Sequence, residues 1–228
     1  MKRKTIATCA QLYIDISNEN EFEVAFAAPN ISVNGIMFDD LNGLAFVTAA
    51  PGVKTAATAD IYCEDLEKVG ISEIRNIKCY DGDIWGTKGS DYTADVTFEL
   101  DCGDLSYKTG LKKSGKVVYD KDGIKMIYKG LSDGNREGSK VATILVVNES
   151  DKDLSLDWTD IEVNGVYADD WNFAYVYSGT GNYARLIWLA DEIEEFGGEM
   201  NAIEFFMFIW SLDASENYGK DIKIAFDL

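Results

Sequence analysis

The chain has 228 residues, of which 46% are apolar and 27% charged, with 21 Lys and Arg against 40 Asp and Glu for a formal net charge of −19. That apolar fraction excludes a disordered acidic tail, and no uninterrupted apolar run approaches the ~18 residues of a membrane span. Histidine is absent, which removes histidine-based triads, proton shuttles and the commonest metal ligand.

The first residues, Met1-Lys2-Arg3-Lys4, resemble the charged start of a signal peptide. The apolar stretch after them is short, and Gln11 and Asp15 interrupt it, so no signal peptide is expected. Cys9 lacks the small-residue context of a lipid-anchored cysteine. From there the chain reads as strands. Leu12, Ile14 and Ile16 alternate with polar neighbours, as do Phe22, Val24 and Phe26 with Glu21 and Glu23. Asn34-Gly35 then stands between β-branched residues, the strongest short-range hairpin signal, because a type I′ turn needs positive φ at both central positions. Asp39-Asp40-Leu41-Asn42 reads as a turn, since Asp and Asn bond their own backbone. Further strands are expected at 53–59, 74–80 and 94–100. Between the first two, Glu64-Asp65-Leu66-Glu67-Lys68-Val69-Gly70 suits one or two helical turns, with acids at the start and glycine in the left-handed position at the end.

Glycines at 103, 110 and 115 mark a linker at 103–115, separating a domain at 1–102 from one at 116–228. The second domain opens with a hairpin, 116–119 and 124–128, turned by Asp120-Lys121-Asp122-Gly123; its lysines would protect an exposed sheet edge. A flexible loop is expected at 131–139. Strands follow as in the first domain, with Asn164-Gly165 at a hairpin, Asp169-Asp170-Trp171-Asn172 after it and a helical turn at 192–197. The segment 205–210 is apolar on both faces, which predicts a strand between two covered surfaces.

These parallels rest on an internal repeat. At an offset of 130, Ile14, Asn18, Glu19, Ile31, Val33, Asn34, Gly35, Asp39, Asp40 and Asn42 meet identical residues, ten of 29 positions, where composition alone supplies about two. The offset later becomes 126, where Tyr92, Val96 and Phe98 meet Tyr218, Ile222 and Ile224. The predicted fold is therefore all-β: two tandem immunoglobulin-like antiparallel β-sandwich domains from an internal duplication, each with a short helical turn. The first copy has only Met1 to Lys4 where the second has its opening hairpin, so domain 1 is expected either to lack that hairpin or to be trimmed from a longer parent. The charge divides accordingly: residues 1–100 carry −8, residues 101–140 carry +3 and residues 141–228 carry −14. This distribution reads as solubility of two acidic domains; the alternative is that Lys108, Lys112, Lys113 and Lys116 of the basic segment attract an acidic neighbour.

Three blocks of the second domain, Val-Val-Tyr-Asp-Lys-Asp-Gly-Ile-Lys from Val117, Val-Val-Asn-Glu-Ser-Asp-Lys-Asp-Leu-Ser from Val146 and Ile-Glu-Val-Asn-Gly-Val from Ile161, resemble a β-sandwich module of secreted or surface-anchored proteins of gut Firmicutes. The resemblance is fuller over 117–228 than over 10–100. It implies an extracellular or cell-surface location and tandem arrangement, and it brings no activity or functional residue.

The chemistry on offer is sparse. Cys9, Cys63, Cys79 and Cys102 all lie in the first copy with no C-x-x-C spacing, which removes zinc-ribbon and thioredoxin-type readings. They read as buried apolar thiols, Cys79 above all, with a Cys9–Cys102 disulfide between the first and last strands as the alternative. Asp39, Asp40, Asp169 and Asp170 offer hard oxygen ligands, which makes them weak calcium candidates beside their turn role. Around Trp171 the second copy concentrates aromatics, including Tyr167, Phe173, Tyr175, Tyr177, Tyr183 and Trp188. Strand aromatics usually pack in cores or across strands. If several face outward they could stack on sugar rings, with Asp169, Asp170, Trp171, Asn172 and Tyr175 as the candidate ligand-binding residues. With 40 acids a pair at glycosidase spacing arises by chance, and phosphate loops, dinucleotide fingerprints and nucleophile elbows are absent. The functional expectation is a non-catalytic module of the bacterial envelope or exterior, monomeric and without a cofactor, that binds a protein or glycan or acts as a spacer. The alternative is an acidic intracellular inhibitor that mimics nucleic acid. The net charge opposes nucleic acid itself as a partner.

Overall fold

The computed structural model of the protein describes residues 8–38, 47–87, 91–108, 110–134, 136–213 and 217–228. They fall into two compact units, one within Ile6–Gly110 and one comprising Leu111–Leu228. Both are all-β apart from one short helix each. The N-terminal unit runs β1 (Thr8–Ser17), β2 (Val24–Val33), β3 (Ile36–Phe38), β4 (Val47–Ala49), β5 (Lys54–Tyr62), α1 (Cys63–Val69), β6 (Asn76–Gly86) and β7 (Thr93–Asp101). The C-terminal unit runs β8 (Lys116–Lys121), β9 (Ile124–Asp133), β10 (Lys140–Asn148), β11 (Leu154–Val163), β12 (Val166–Val176), β13 (Gly181–Trp188), α2 (Ala190–Glu195), β14 (Ala202–Ser211) and β15 (Asn217–Asp227).

In the C-terminal unit two antiparallel sheets, ordered β13-β10-β9-β8 and β12-β11-β14-β15, share one core. Alternation decides what enters it. On β11, Leu154, Leu156 and Trp158 point inward, and on β14 Ile203, Phe205, Met207 and Ile209 do so. The rings of Trp158 and Phe205 meet at 5.3 Å. From the other sheet come Ile124, Met126, Ile144 and Val146, all fully buried. The N-terminal unit pairs β1 with β5, and pairs β2 with β3 and β4 on one side and with β6 on the other, β6 continuing to β7. Leu12, Ala59, Ile61, Phe26, Ile31 and Cys79 are among its buried residues.

The turns take the predicted residues. Asn34 and Gly35 have φ of 51° and 79°, Asn164 and Gly165 53° and 76°, and Asp122 and Gly123 54° and 78°, the paired positive values of hairpin turns that follow the strand twist. Asparagine amides, buried at 18, 34 and 148 and half-buried at 164, hold the chain around them. Asn148 donates from Nδ2 to the carbonyls of Lys152 (2.7 Å) and Val176 (2.9 Å), and its Oδ1 accepts from Ser150 N–H and Oγ–H. Asn18 makes the matching bonds to Phe22, Ala49 and Asn20. Asn34 donates to Glu73 O and accepts from the N–H groups of Arg75 and Asn76; Asn164 donates to Phe196 O and Glu199 O and accepts from those of Asn201 and Ala202. Helix α1 ends at Gly70 with φ 85°, its N–H and that of Ile71 bonding back to Glu67 O and Leu66 O.

Several expectations are corrected. Cys9 is disulfide-bonded to Cys63, with Cα atoms 4.9 Å apart, instead of to Cys102. The antiparallel register of β1 with β5 carries Cys9 alongside the end of β5, where α1 begins, whereas Cys102 follows β7 in another sheet and is exposed. Cys79 is a buried free thiol. Asp169-Asp170-Trp171-Asn172 forms no turn: it lies within β12, whose ladder continues past a bulge at Ile161/Glu162. The loop expected at 131–139 is strand as far as Asp133, and Ser139, nearly fully buried, bonds to Arg136 O beyond it. Residues 103–107 are tied to the N-terminal unit, because Asn76 Nδ2 donates to the carbonyls of Asp104 and Tyr107. Among the described residues no helix is long and apolar enough to cross a membrane.

Two outcomes follow from this arrangement. Asn148→Ala strips a fully buried turn of four hydrogen bonds and is expected to cost about 2–4 kcal/mol in urea denaturation. In a thiol titration, Cys102 reacts in the native protein, Cys79 joins it on unfolding without reductant, and Cys9 and Cys63 appear only after reduction.

Candidate functional site

The outward face of the β12-β11-β14 sheet concentrates the groups best suited to hold a ligand. It exists because the residues between the core positions of β14 are also large and apolar. Phe205, Met207 and Ile209 fill the core, while Phe206, Phe208 and Trp210 lie on the opposite face and are only half-buried. This corrects the expectation that 205–210 is covered on both sides. On β12, Ala174 and Val176 point inward, which leaves Phe173 and Tyr175 outward. Their rings pack edge to face at 5.2 Å.

Between these aromatic rows runs β11, whose residues on this side are polar: Ser155, buried beneath the flanking rings, and the half-buried Asp157 and Thr159. The register is explicit. Ser155 sits opposite Tyr175 on one side and Trp210 on the other, and Asp157 opposite Phe173 and Phe208. Thr159 stands opposite Trp171 and Phe206. Ser155 donates its hydroxyl to Asp157 Oδ1 at 2.9 Å. Adjacent strands lie about 4.8 Å apart, so the two aromatic rows stand about 10 Å apart across a floor of hydroxyls and one carboxylate. Rings beside hydrogen-bonding groups match molecules with apolar faces and polar rims.

The candidate residues from the sequence are only partly brought together. Tyr175 is on this face. Asn172 falls on the other side of β12, opposite Trp158, and its Oδ1 accepts from Phe173 N–H at 2.7 Å. Asp169, Asp170 and Trp171 belong to β12, and their side chains lie outside the described residues, as do Asp39 and Asp40 altogether. Among the described residues no three His, Cys, Asp or Glu side chains are grouped to hold a metal ion. Of the other aromatics, Tyr183 and Trp188 are core residues and Tyr167 is 52% exposed. Ser155, Asp157, Phe206, Phe208 and Trp210 were not singled out in the sequence. The signal was present in the strict alternation of 202–211, where every residue of one parity joins the core and leaves the other aromatics a face of their own. A second depression, of about 640 Å³, lies in the N-terminal unit beside the Cys9–Cys63 disulfide, with Leu66, Ile71, Glu67 and Glu73 in its wall.

No protein-family model matches the chain, and no curated protein is similar to it. Among solved structures it is similar to the one described as "Structural insight into host cell surface retention of a 1.5-MDa bacterial ice-binding adhesin", at 8% identity and a TM-score of 0.22. That match covers 96% of this chain and 55% of the other, so the chain spans about half the length of that protein.

The two faces of β14 differ in what truncation should cost. Phe205→Ala opens a cavity in the core and is expected to lose about 3–5 kcal/mol, whereas Phe208→Ala on the outward face loses about 1–2 kcal/mol. Equilibrium urea denaturation of the two variants measures the difference.

Proposed function

We propose that the protein is a non-catalytic binding module of the bacterial envelope or exterior, built from two immunoglobulin-like β-sandwich domains of a duplicated unit, and that its C-terminal unit holds a carbohydrate on the outward face of β12, β11 and β14. The observation that carries the ligand reading is the pair of aromatic rows flanking Ser155, Asp157 and Thr159. Pyranose rings present C–H faces that stack on aromatic rings and hydroxyls that donate to a carboxylate and bond with Ser and Thr hydroxyls. The absence of histidine from the sequence, and so of any imidazole acid–base group on this face, favours binding over turnover.

Support for the duplication comes from strand-by-strand correspondence. β1 pairs with β5 as β10 pairs with β13; β2, β6 and β7 pair in the order of β11, β14 and β15; and a short helix follows β5 and β13 alike. The binding face is particular to the second unit. At the offset of 130, Ser155, Asp157 and Thr159 correspond to Ala25, Ala27 and Pro29, which carry no polar side chain.

The test is isothermal titration of the full chain with soluble β-glucan and N-acetylglucosamine oligosaccharides. Saturable binding to one class is expected, weakened roughly tenfold or more by Tyr175→Ala, Trp210→Ala or Asp157→Ala in variants that melt cooperatively. Binding to neither class, or binding that the three variants leave unchanged, overturns the proposal.

A further inference from the structure

The two units differ along one side, and the difference defines an acceptor site. In the C-terminal unit β10 is hydrogen-bonded on both edges, to β13 and to β9, and the hairpin β8–β9 closes that side. The hairpin places Ile124, Met126 and Tyr128 in the core, with the ring of Tyr128 5.0 Å from Phe226 on β15. In the N-terminal unit β1 takes the place of β10, and among the described residues its only partner is β5.

Both layers register the missing cover. Ile144 and Val146 on β10 are 0% exposed, while their counterparts Ile14 and Ile16 on β1 are half-buried. Ile224 and Phe226 on β15 are buried, while their counterparts on β7 are the half-buried Phe98 and the 37% exposed Leu100. The apolar positions that β8–β9 covers in one unit therefore face solvent in the other. The open edge is also unguarded. Natural sheets blunt free edges with charge, lysine above all, or with proline; the outer strand β8 carries Lys116 and Lys121, whereas the ten residues of β1 include one charge, Asp15.

Charge marks the same site. The segment that bears the hairpin lies against two acidic residues of its own unit: Lys113 pairs with the Glu149 carboxylate, and Lys116 Nζ donates to the main-chain carbonyl of Asp227 at 3.0 Å, with the Asp227 carboxylate 3.9 Å away. Lys113 holds the Glu149 carboxyl below the ordinary carboxylate range through that bond. At the two offsets Glu149 and Asp227 correspond to Glu19 and Asp101, both exposed. Lysines arriving with a hairpin would meet carboxylates already in place.

We propose that the N-terminal unit is an acceptor for a lysine-bearing β-hairpin from outside residues 8–228, which pairs antiparallel along β1 in the register of β9 on β10 and sets apolar residues opposite Ile14, Ile16 and Asn18. The donor is a hairpin with no sandwich of its own. A hairpin taken from a second copy would uncover Ile144 and Val146 as it covered Ile14 and Ile16, with no net burial. Direct pairing of β1 with β1 of a second copy would leave Phe98 and Leu100 uncovered and bring two acidic units together. The inference rests on the strand correspondence between the units and is independent of any carbohydrate on the other face.

The experiment measures fluorescence anisotropy of a labelled synthetic peptide with the sequence of residues 112–133, which carries both Lys113 and Lys116, titrated with the full chain. Saturable binding is expected, at least tenfold weaker with Ile14→Lys, weakened by Glu19→Lys or Asp101→Lys and by added salt, and absent for a scrambled peptide. Fusing the same hairpin through a Gly/Ser linker ahead of residue 8 is expected to raise the melting temperature, a readout that remains if Ile14→Lys impairs folding. Absence of both binding and thermal gain overturns the proposal. So does binding indifferent to Ile14→Lys and Glu19→Lys, which marks exchange with β8–β9, and so does a dimer in sedimentation that Ile14→Lys dissolves, which marks β1 pairing with itself.

Discussion

The fold depends on asparagine amides, buried at 18, 34 and 148 and half-buried at 164, that fix where strands begin and end. A side-chain amide offers two donors and an acceptor in one plane, so it can join a turn to two other segments, and once buried it cannot release them without leaving polar groups unsatisfied. Asn148 ties the turn before β11 to the end of β12, and Asn164 ties the turn after β11 to the segment between α2 and β14. Strand β11 is thus held at both ends, and with it the register that puts Ser155 and Asp157 between aromatic rows. A slip of one residue would exchange the faces, turning Trp158 outward and Asp157 into the core. Asn18 and Asn34 hold β2 in the same way.

What could be read from the sequence is what local chemistry decides. Positive φ at two successive residues admits few residue types, so Asn34-Gly35, Asn164-Gly165 and Asp122-Gly123 announce their turns. Period-two alternation announces β1, β10 and β11. The repeated asparagines at 18, 34, 148 and 164 are visible as identities, but their role is not, because their partners lie up to 42 residues away. The Cys9–Cys63 pairing depends on which strand lies beside β1, a matter of topology. Asp169 to Asn172 carry a turn composition and still form strand, because a ladder with neighbours already in place overrides local preference. The outward aromatics of β14 are hidden by their number: a run apolar at every position reads as doubly covered, and only the depth of each face separates Phe205 from Phe208.

Acidity takes on meaning when it is placed. The −14 carried by residues 141–228 and the −8 by residues 1–100 put like charge on any two copies that approach, which opposes self-contact while leaving contact with neutral or basic partners free. The basic segment between them is consumed in part by its own unit, through Lys113, Lys116 and Lys125 paired with Glu149, Asp227 and Asp120. Local pairing thus accounts for part of the charge of this segment.

Under the proposed duplication, the two units have diverged in opposite directions from one plan. The C-terminal unit has a closed side, completed by β8–β9, and a decorated face on β11, β12 and β14. The N-terminal unit has Ala25, Ala27 and Pro29 where that face carries its polar row, and an open side at β1 and β7. A sandwich is stable when its apolar interior is covered. The unit with an open side must meet that need by another route. The Cys9–Cys63 disulfide, with no counterpart in the C-terminal unit, joins β1 to the start of α1. Such a bond restricts the unfolded chain by an amount that grows with the loop it closes, here a separation of 54 residues. It thereby secures a strand whose one neighbour among the described residues is β5.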